Sequence, residues 1–243
     1  MRLLADSGYV DTSPLHSGGS VDDHILTAFG PIFWISMVVW VVVSGLIIFA
    51  AVRYRRRSDD EEPRQLHGNN RLELAWTALP FAVLMGLFAL TTVQMQYIRT
   101  TPAGAMPVCV VAARYSWTYH YNYSGSCTPK NTTPVTVYQF AVATDSIYPV
   151  YNVAPFVIPA NTPVSIDITS SDVIHSYYVP TLAGQMNAVP GQVNHFWLDA
   201  RPGKYYGQCT ELCGEGHAMM LIEVDAVPQA QYNAWYAQNK ASQ

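Results

Sequence analysis

The sequence predicts a membrane-anchored all-β protein, in which a two-helix transmembrane hairpin precedes a β-sandwich or barrel domain. Two long apolar segments without charged residues lie in the N-terminal part of the 243-residue chain. From Met106 onward, short β-branched and aromatic runs alternate with Pro, Gly, Asn and Asp, a pattern typical of strands in a sandwich or barrel. Half of all residues are hydrophobic and only 12% are charged, against roughly a quarter in typical soluble domains.

The apolar segments are long enough to cross a membrane. Residues 1–24 are polar and lack the apolar run of a signal peptide, so they form a predicted N-terminal segment. The first helix is predicted at about 25–52, which exceeds the ~20 residues that span a bilayer core. The second is predicted at about 74–95 and contains Pro80, which membrane helices tolerate. Residues 25–95 thus make up the predicted hairpin.

Arginines indicate how this hairpin is oriented. The loop between the helices holds six Arg, beginning with Arg53, whereas the segment before the first helix holds only Arg2. The positive-inside rule counts Lys and Arg, and it therefore places the loop in the cytoplasm. Both termini and the β-domain are then expected on the periplasmic or extracellular side.

The predicted β-domain spans residues 96–227. Its apolar runs have the length of strands and are bounded by turn residues: Val108–Ala112, Val135–Ala143, Val164–Ile168, Val193–Leu198 and Met220–Val224. Residues 228–243 are rich in Ala and Gln, with Tyr232, Trp235 and Tyr236 at helical spacing. They predict a C-terminal helix that packs on the domain or on a partner.

One short stretch between two predicted strands carries four soft metal donors. Cys209, Cys213, His217 and Met220 occur within 12 residues, and thiolate, imidazole and thioether ligands suit copper better than magnesium or calcium. Two thiolates can bridge two copper ions, and His175 is a candidate for a second imidazole. A Cys209–Cys213 disulfide and a structural Cys₂His₂ zinc site are the alternatives that spacing leaves open.

Two further cysteines, Cys109 and Cys127, flank a Tyr-rich segment. They are either two small buried residues or a disulfide. An extracytoplasmic location favours the disulfide, because oxidising compartments permit it. Such a bond would staple a local loop away from the metal donors.

The chain resembles subunit II of the haem-copper cytochrome c oxidases over nearly its whole length. The resemblance rests on the motif Cys-x-Glu-x-Cys-Gly-x-x-His-x-x-Met at 209–220, on Asp-Val-Ile-His-Ser at 172–176 and on Val-Pro-Gly-Gln-Val-Asn at 189–194. It implies a cupredoxin domain with a binuclear copper centre, CuA. The implied ligands are two bridging thiolates, two imidazoles, a weak thioether and a weak backbone carbonyl: Cys209, Cys213, His175, His217, Met220 and Glu211. The family spacing selects Met220 over its neighbour Met219, and the Glu211 side chain is implied to reach a Mg²⁺ ion shared with subunit I.

The resemblance also implies a function. The protein would accept electrons from an extracytoplasmic donor, cytochrome c or another redox protein, in a prokaryotic cell membrane. It would pass them to haem in subunit I, where O₂ is reduced to water with proton pumping. Other oxidase subunits and the lipid bilayer are further expected partners, and a net charge of −4 gives no basis for nucleic-acid binding. The alternatives are the CuA subunit of a nitric oxide reductase and a membrane-anchored copper-binding or copper-delivery protein.

Glu73 begins the second helix within a segment similar to the family motif Leu-Glu-x-x-Trp-Thr-x-x-Pro. In the family, this Glu lies at the mouth of a proton-uptake channel that leads into subunit I. A carboxylate at a helix N-terminus is also favoured by the helix dipole. Both roles are compatible with the position of Glu73.

The expected docking region for the electron donor departs from the family. Tyr115 replaces the first Trp of the family's aromatic motif, the usual point at which electrons enter, and Trp117 keeps the second. His120 replaces a Glu, and Gln185 and Asn187 replace a Lys and an Asp. These departures indicate either a different or differently docked donor, or ordinary sequence drift at a surface whose binding energy is spread over many contacts. We expect electrons to enter around Tyr115 and Trp117, and the donor to dock there and on the copper loop through apolar and hydrogen-bonding contacts.

Two ionisable residues near these motifs are predicted to have supporting roles. Asp172 is expected to orient the loop of His175, because ligating imidazoles usually need a hydrogen-bonded partner. His195 lies beside Phe196 and Trp197 on a predicted strand, and we interpret it as a structural residue.

Overall fold

The computed structural model describes residue 13 and residues 15–55, 68–131, 133–140 and 154–241. Most of the predicted N-terminal segment, most of the interhelical loop and the end of the predicted strand 135–143 lie outside these ranges. The chain divides into two units. One comprises residues 1–26 and 97–243, and the other comprises residues 27–96.

Two long helices contain the apolar segments, α1 (Ser20–Arg53) and α2 (Asn70–Arg99), and both are long and apolar enough to cross a membrane. Each begins before its apolar run because a polar side chain caps it. Asp199 Oδ1 accepts hydrogen bonds from the backbone N–H and hydroxyl of Ser20 at the start of α1. Asn69 Oδ1 accepts from two backbone N–H groups in the first turn of α2.

Among the described residues, ten strands follow and form two five-stranded sheets. They are β1 (Met106–Ala113), β2 (Ser116–Tyr121), β3 (Thr136–Phe140), β4 (Phe156–Pro159), β5 (Val164–Ser170), β6 (His175–Val179), β7 (Ala183–Ala188), β8 (Asn194–Leu198), β9 (Gly203–Cys209) and β10 (Leu221–Val227). The first sheet has the order β3-β2-β1-β5-β8 and the second β4-β10-β9-β6-β7. Pairs β1/β5 and β4/β10 are parallel, and the others are antiparallel.

The core of the β-domain draws alternate residues from strands of both sheets. In β5, for example, Val164, Ile166 and Ile168 are fully buried, whereas Ser165 and Asp167 are only partly so. This alternation follows from the two-residue period of a strand with one face on the core. The predicted combination of two long apolar helices and a β-sandwich domain is therefore confirmed.

A disulfide joins Cys109 and Cys127 on the other face of the first sheet. Cys109 and Val111 point away from the main core, and Tyr123 packs on them to form a small separate cluster. The bond thus holds the loop after β2 against the outside of the sheet. The disulfide that an extracytoplasmic location favours is thus present, and its cysteines belong to a different side-chain cluster from Cys209 and Cys213.

The last helix, α3 (Gln229–Ala241), packs on the β-domain through its aromatic residues. The ring of Trp235 lies 5.2 Å from that of Tyr121, and the Tyr232 hydroxyl lies 2.9 Å from Met106 Sδ.

Residues 17–23 also belong to the β-domain; we call them the N-terminal strap. Backbone hydrogen bonds join Gly18 to Thr181 and Arg201, at 2.6 and 2.7 Å. Val21 is buried in the main core, and Asp23 forms a 2.7 Å ion pair with Arg201. The strap therefore covers part of the core of the β-domain. The polar composition of residues 1–24 did not indicate this packing.

Candidate metal centre

The metal loop, residues 209–220, connects two paired strands. β9 and β10 are antiparallel neighbours with Gln208 opposite Leu221, and the Cys209 N–H donates to the Met220 carbonyl at 2.9 Å. The first and last donors of the loop are therefore fixed by the sheet. Between them, the chain turns through Gly214 and forms a single turn of 3₁₀ helix at His217–Met219.

His175 reaches this loop from the neighbouring strand. β6 pairs with β9 so that Tyr177 lies opposite Cys209, and the Thr210 N–H donates to the Ser176 carbonyl at 3.1 Å. Because His175 is two residues from Tyr177, both side chains lie on the same face of the strand. The ligand atoms of His175, Cys209 and Cys213 consequently lie within 4.8 Å of one another, and all three residues are buried.

The donors form one cluster in which each thiol has an imidazole nitrogen nearby. Cys209 Sγ lies 3.9 Å from His175 Nδ1, and Cys213 Sγ lies 3.5 Å from His217 Nδ1. Met220 Sδ is 4.0 Å from Cys213 Sγ, and the Glu211 carbonyl oxygen is 3.3 Å from Cys209 Sγ. Two donors on one metal at bond lengths of 2.0–2.3 Å and a tetrahedral angle stand about 3.5 Å apart. The donor set therefore fits soft metal ions bound between these pairs.

The two thiols differ in acidity. Burial opposes ionisation of Cys209, but hydrogen bonds with His175 and with the Ser176 and Glu211 backbone lower its pKa to about 7. Burial and repulsion from Cys209 raise the pKa of Cys213 to about 11. One thiolate is thus available near neutral pH, and the second requires a metal ion to displace its proton. Both cysteines are free thiols, so the structure does not contain the alternative disulfide between them.

Asp172 fixes the orientation of His175, as predicted. Its Oδ1 lies 2.9 Å from His175 Nε2, so Nδ1 is the ring nitrogen left facing the thiols. Burial acts to raise the pKa of Asp172, but hydrogen bonds from His175 and from the Val173 and Arg114 N–H groups lower it. Burial acts to lower the pKa of His175, but its contacts with Cys209 and Asp172 raise it. The Asp172 carboxylate is therefore favoured in its ionised form, in contact with the His175 imidazole.

Two exposed apolar side chains flank the donors. Leu212, between the two cysteines, is 80% exposed, and Ile174, beside His175, is 45% exposed. Neither was singled out from the sequence, because exposure of a single apolar residue in a loop leaves no periodic pattern. The Glu211 side chain is exposed as well.

Tyr115 and Trp117 differ in their access to solvent. Tyr115 is partly buried and lies against Gly214 and Gly216 of the metal loop. Trp117 is 0% exposed, and its ring centroid lies 6.2 Å from that of His175. Strand β2 directs this side chain into the core, so a docked protein cannot touch Trp117 directly. Electron entry through Trp117 therefore stays a prediction, in which its ring would act beside His175.

Glu73 acts as a helix-capping residue. Its Oε1 accepts a hydrogen bond of 3.3 Å from the Asn69 N–H while Asn69 caps the first turn of α2. His195 is structural, as interpreted: Nδ1 lies 2.5 Å from Asp167 Oδ1 and Nε2 lies 2.7 Å from Thr101 Oγ1.

Two family models match the chain. The model of the periplasmic domain of cytochrome c oxidase subunit II matches residues 106–227, and the model of its transmembrane domain matches residues 16–95. The β-domain with the metal loop and both long helices are therefore covered.

Curated relatives match most of the chain. Cytochrome c oxidase subunit 2 of Alkalihalophilus pseudofirmus is 31% identical over 82% of the chain and 53% of its own length. The probable cytochrome c oxidase subunit 2 of Rickettsia bellii is 30% identical over 85% of the chain and 76% of its own length. Cytochrome c oxidase subunit 2 of Arabidopsis thaliana is 32% identical over 94% of the chain and 87% of its own length. The chain thus spans about half of the first relative's length. Among solved structures, the periplasmic domain of subunit II of Bradyrhizobium japonicum cytochrome oxidase is 26% identical, with a TM-score of 0.49 over 59% of this chain and 99% of that one.

Proposed function

The chain belongs to the cytochrome c oxidase subunit II family, and from that premise we propose that it is the electron-accepting subunit of a haem-copper terminal oxidase. Its membrane-spanning helices anchor the β-domain, and the metal loop holds a binuclear CuA centre. Electrons arrive from an extracytoplasmic redox protein and leave for haem in subunit I, which reduces O₂.

The single observation that carries the CuA proposal is that the two thiols lie within 4.8 Å of each other and that each has an imidazole beside it. Cys209 has His175 as its neighbour at 3.9 Å, and Cys213 has His217 at 3.5 Å. A binuclear site would use both thiolates together with one imidazole for each ion, and these four residues could supply that set.

The remaining donors support copper over zinc. Met220 is buried beside Cys213, and a thioether is a soft ligand that suits copper. A copper pair held by Cys209, Cys213, His175 and His217 would supply one-electron transfer. The protein supplies a buried pocket, the imidazole orientation set by Asp172, and a loop whose ends are fixed by β9 and β10.

The exposed Glu211 side chain is the proposed Mg²⁺ ligand at the boundary with subunit I. Its backbone carbonyl points at Cys209, so one residue would contact both metal sites. Glu73 is proposed to serve proton uptake in addition to capping α2, because a carboxylate at the cytoplasmic end of a helix is suited to collecting protons. Both termini and the β-domain are proposed to lie outside the cytoplasm of a prokaryotic cell, because the Arg residues concentrate in the loop between the two helices.

The electron donor, cytochrome c or another redox protein, is proposed to dock mainly through apolar contacts. Residues 96–243 contain six Lys or Arg and eight Asp or Glu, which leaves few carboxylates for a steering patch. Leu212 and Ile174 expose apolar surface next to the metal donors. Tyr115 is partly buried against the core, and its ring contacts the metal loop.

The copper proposal is tested by metal analysis of the full chain purified in detergent under reducing conditions and then loaded with copper. We expect two copper ions per chain and near-infrared absorption from a mixed-valence pair. One tightly bound zinc ion with no stable copper form would contradict the proposal and favour the structural zinc site.

The docking proposal is tested by the rate of electron transfer from the donor as ionic strength rises from about 10 to 300 mM, over which the Debye length falls from about 30 Å to less than 10 Å. We expect a nearly flat profile and a slower rate for Leu212→Ser. A steep fall with salt would instead show that a charged surface guides the donor.

A further inference from the structure

The turn between β1 and β2 touches both chain segments that carry the metal donors. This turn consists of Arg114 and Tyr115, and we call it the β1–β2 turn. Arg114 contacts the loop of His175, and Tyr115 contacts the metal loop. Neither residue offers a ligand atom to the donor cluster, so their effect on the site can only be indirect.

Arg114 acts on the His175 segment through its backbone. Its N–H donates to Asp172 Oδ2 at 2.8 Å, and the other oxygen of the same carboxylate binds His175 Nε2 at 2.9 Å. The guanidinium Nε is 3.9 Å from Asp172 Oδ2, and both side chains are partly exposed. An exposed ion pair of this kind contributes little, so the backbone hydrogen bond is the main link between the turn and the imidazole.

Tyr115 acts on the metal loop through two glycines. A Cβ atom placed on Gly216 would lie 2.5 Å from Tyr115 Cδ2, and one on Gly214 would lie 2.6 Å from its hydroxyl oxygen. Both distances are too short for any real side chain, so the ring rests directly on the backbone of the loop. These glycines stand between two donors, Cys213 and His217.

The backbone distinguishes the two glycines. Gly214 has φ +136°, a conformation that requires glycine whatever its neighbours. Gly216 has φ −87° and ψ 11°, which other residues can adopt. The missing side chain at Gly216 is therefore needed because of the ring of Tyr115 and not because of the local backbone.

We propose that the β1–β2 turn is a clamp that fixes the two halves of the metal site relative to each other, with Tyr115 as the positioning residue for Cys213 and His217. This rests on the proposed CuA function of the same donors. The His175 loop and the metal loop are about forty residues apart in sequence. The clamp connects both of them to the same turn of the first sheet. It gives Tyr115 a role that is distinct from any role in receiving electrons.

The experiment uses the full chain in detergent and five variants: Tyr115→Ala, Tyr115→Phe, Gly216→Ala, the double variant Tyr115→Ala/Gly216→Ala, and Gly184→Ala as the control. Gly184 is a suitable control because an added Cβ there meets only Ile25 Cδ1, at an ordinary 3.8 Å. For each variant, the rate of copper loss to an excess of chelator and the absorption spectrum of the bound copper are measured.

We expect Tyr115→Ala and Gly216→Ala each to release copper about tenfold faster, which corresponds to 1.4 kcal/mol, with a shifted spectrum. Tyr115→Phe and Gly184→Ala should stay within about twofold of the wild type, because both keep the packed ring. In the double variant the added methyl group has no ring to meet, so it should release copper no faster than Tyr115→Ala alone.

Wild-type copper loss and spectrum in Tyr115→Ala, or full additivity in the double variant, would overturn the clamp. The same cycle is measured on the metal-free protein by thermal unfolding, where Gly216→Ala should lower Tm only when Tyr115 is present. This second readout separates the two proposals. If the wild type binds no copper pair, the CuA function fails, and the metal-free cycle still decides whether Tyr115 clamps the loop.

Discussion

The β-domain contains two pairs of cysteines that differ in oxidation state. Cys109 and Cys127 form a disulfide on the outside of the first sheet, whereas Cys209 and Cys213 are free thiols in a buried cluster. All four residues have low exposure, so burial does not separate the pairs. What separates them is their neighbours: the second pair has an imidazole nitrogen within 4 Å of each sulfur, whereas the first pair packs with Val111 and Tyr123 and contacts the Asp167 carbonyl.

The comparison shows that the residues around a cysteine pair, rather than the spacing of the two cysteines, indicate whether the pair forms a disulfide or binds metal. The disulfide joins β1 to the loop after β2. It stabilises the fold by restricting the unfolded chain. The free pair lies within one loop whose ends are already joined by β9 and β10. A covalent bond there would add little restraint, and the imidazoles direct the sulfurs towards metal binding.

The largest expected effect comes from breaking the free pair. Cys209→Ser should abolish the binuclear site, because a hydroxyl cannot replace a bridging thiolate. The measurement is the copper content of the purified chain, together with loss of the near-infrared band. Two bound copper ions with an unchanged spectrum would show that Cys209 does not bridge.

Breaking the disulfide should give the opposite result. The double variant Cys109→Ala/Cys127→Ala should lose about 3 kcal/mol in the free energy of unfolding, as expected for a bond that closes a loop of 18 residues. Its copper content should equal that of the wild type. Chemical denaturation of the two proteins checks the first expectation, and a loss of copper in the folded variant would contradict the second.

A pH titration should distinguish the two thiols of the free pair without mutation; the disulfide pair does not titrate. Metal binding must displace thiol protons, and the pKa is about 7 for Cys209 and about 11 for Cys213. Below pH 7 both thiols lose a proton on binding; between 7 and 11 only Cys213 does. The thiol contribution to the slope of log affinity against pH should therefore fall from about two to about one near pH 7. Zn²⁺ is a redox-inert probe for this measurement, and a slope that stays constant through pH 7 would contradict the lowered pKa of Cys209.

The smallest expected effect concerns the thioether. Met220→Leu should keep both copper ions and mainly shift the reduction potential, because Met220 is a weak ligand whose buried volume Leu can fill. Spectroelectrochemistry of the loaded chain measures the shift. Loss of a copper ion in this variant would make Met220 a principal ligand.

The sequence was sufficient for the donors and for the fold class, but not for the contacts between distant segments. The spacing of Cys209, Cys213, His217 and Met220 is local, and hydrophobic runs mark helices and strands directly. The burial of Trp117 was missed because alternation gives the two faces of a strand but not which one meets the core. The packing of Tyr115 on Gly216 was missed because the two residues are far apart in sequence and neither is unusual alone.

The N-terminal strap has a consequence for how the protein is made. Gly18 and Ser20 leave the ribosome early, but their partners Arg201 and Asp199 are synthesised about 180 residues later. Contacts of such long sequence separation form late and slowly. The β-domain therefore completes its core only after the N-terminus and the last strands are on the same side of the membrane. A fragment that starts after α2 would lack Val21 and leave its place in the main core uncovered.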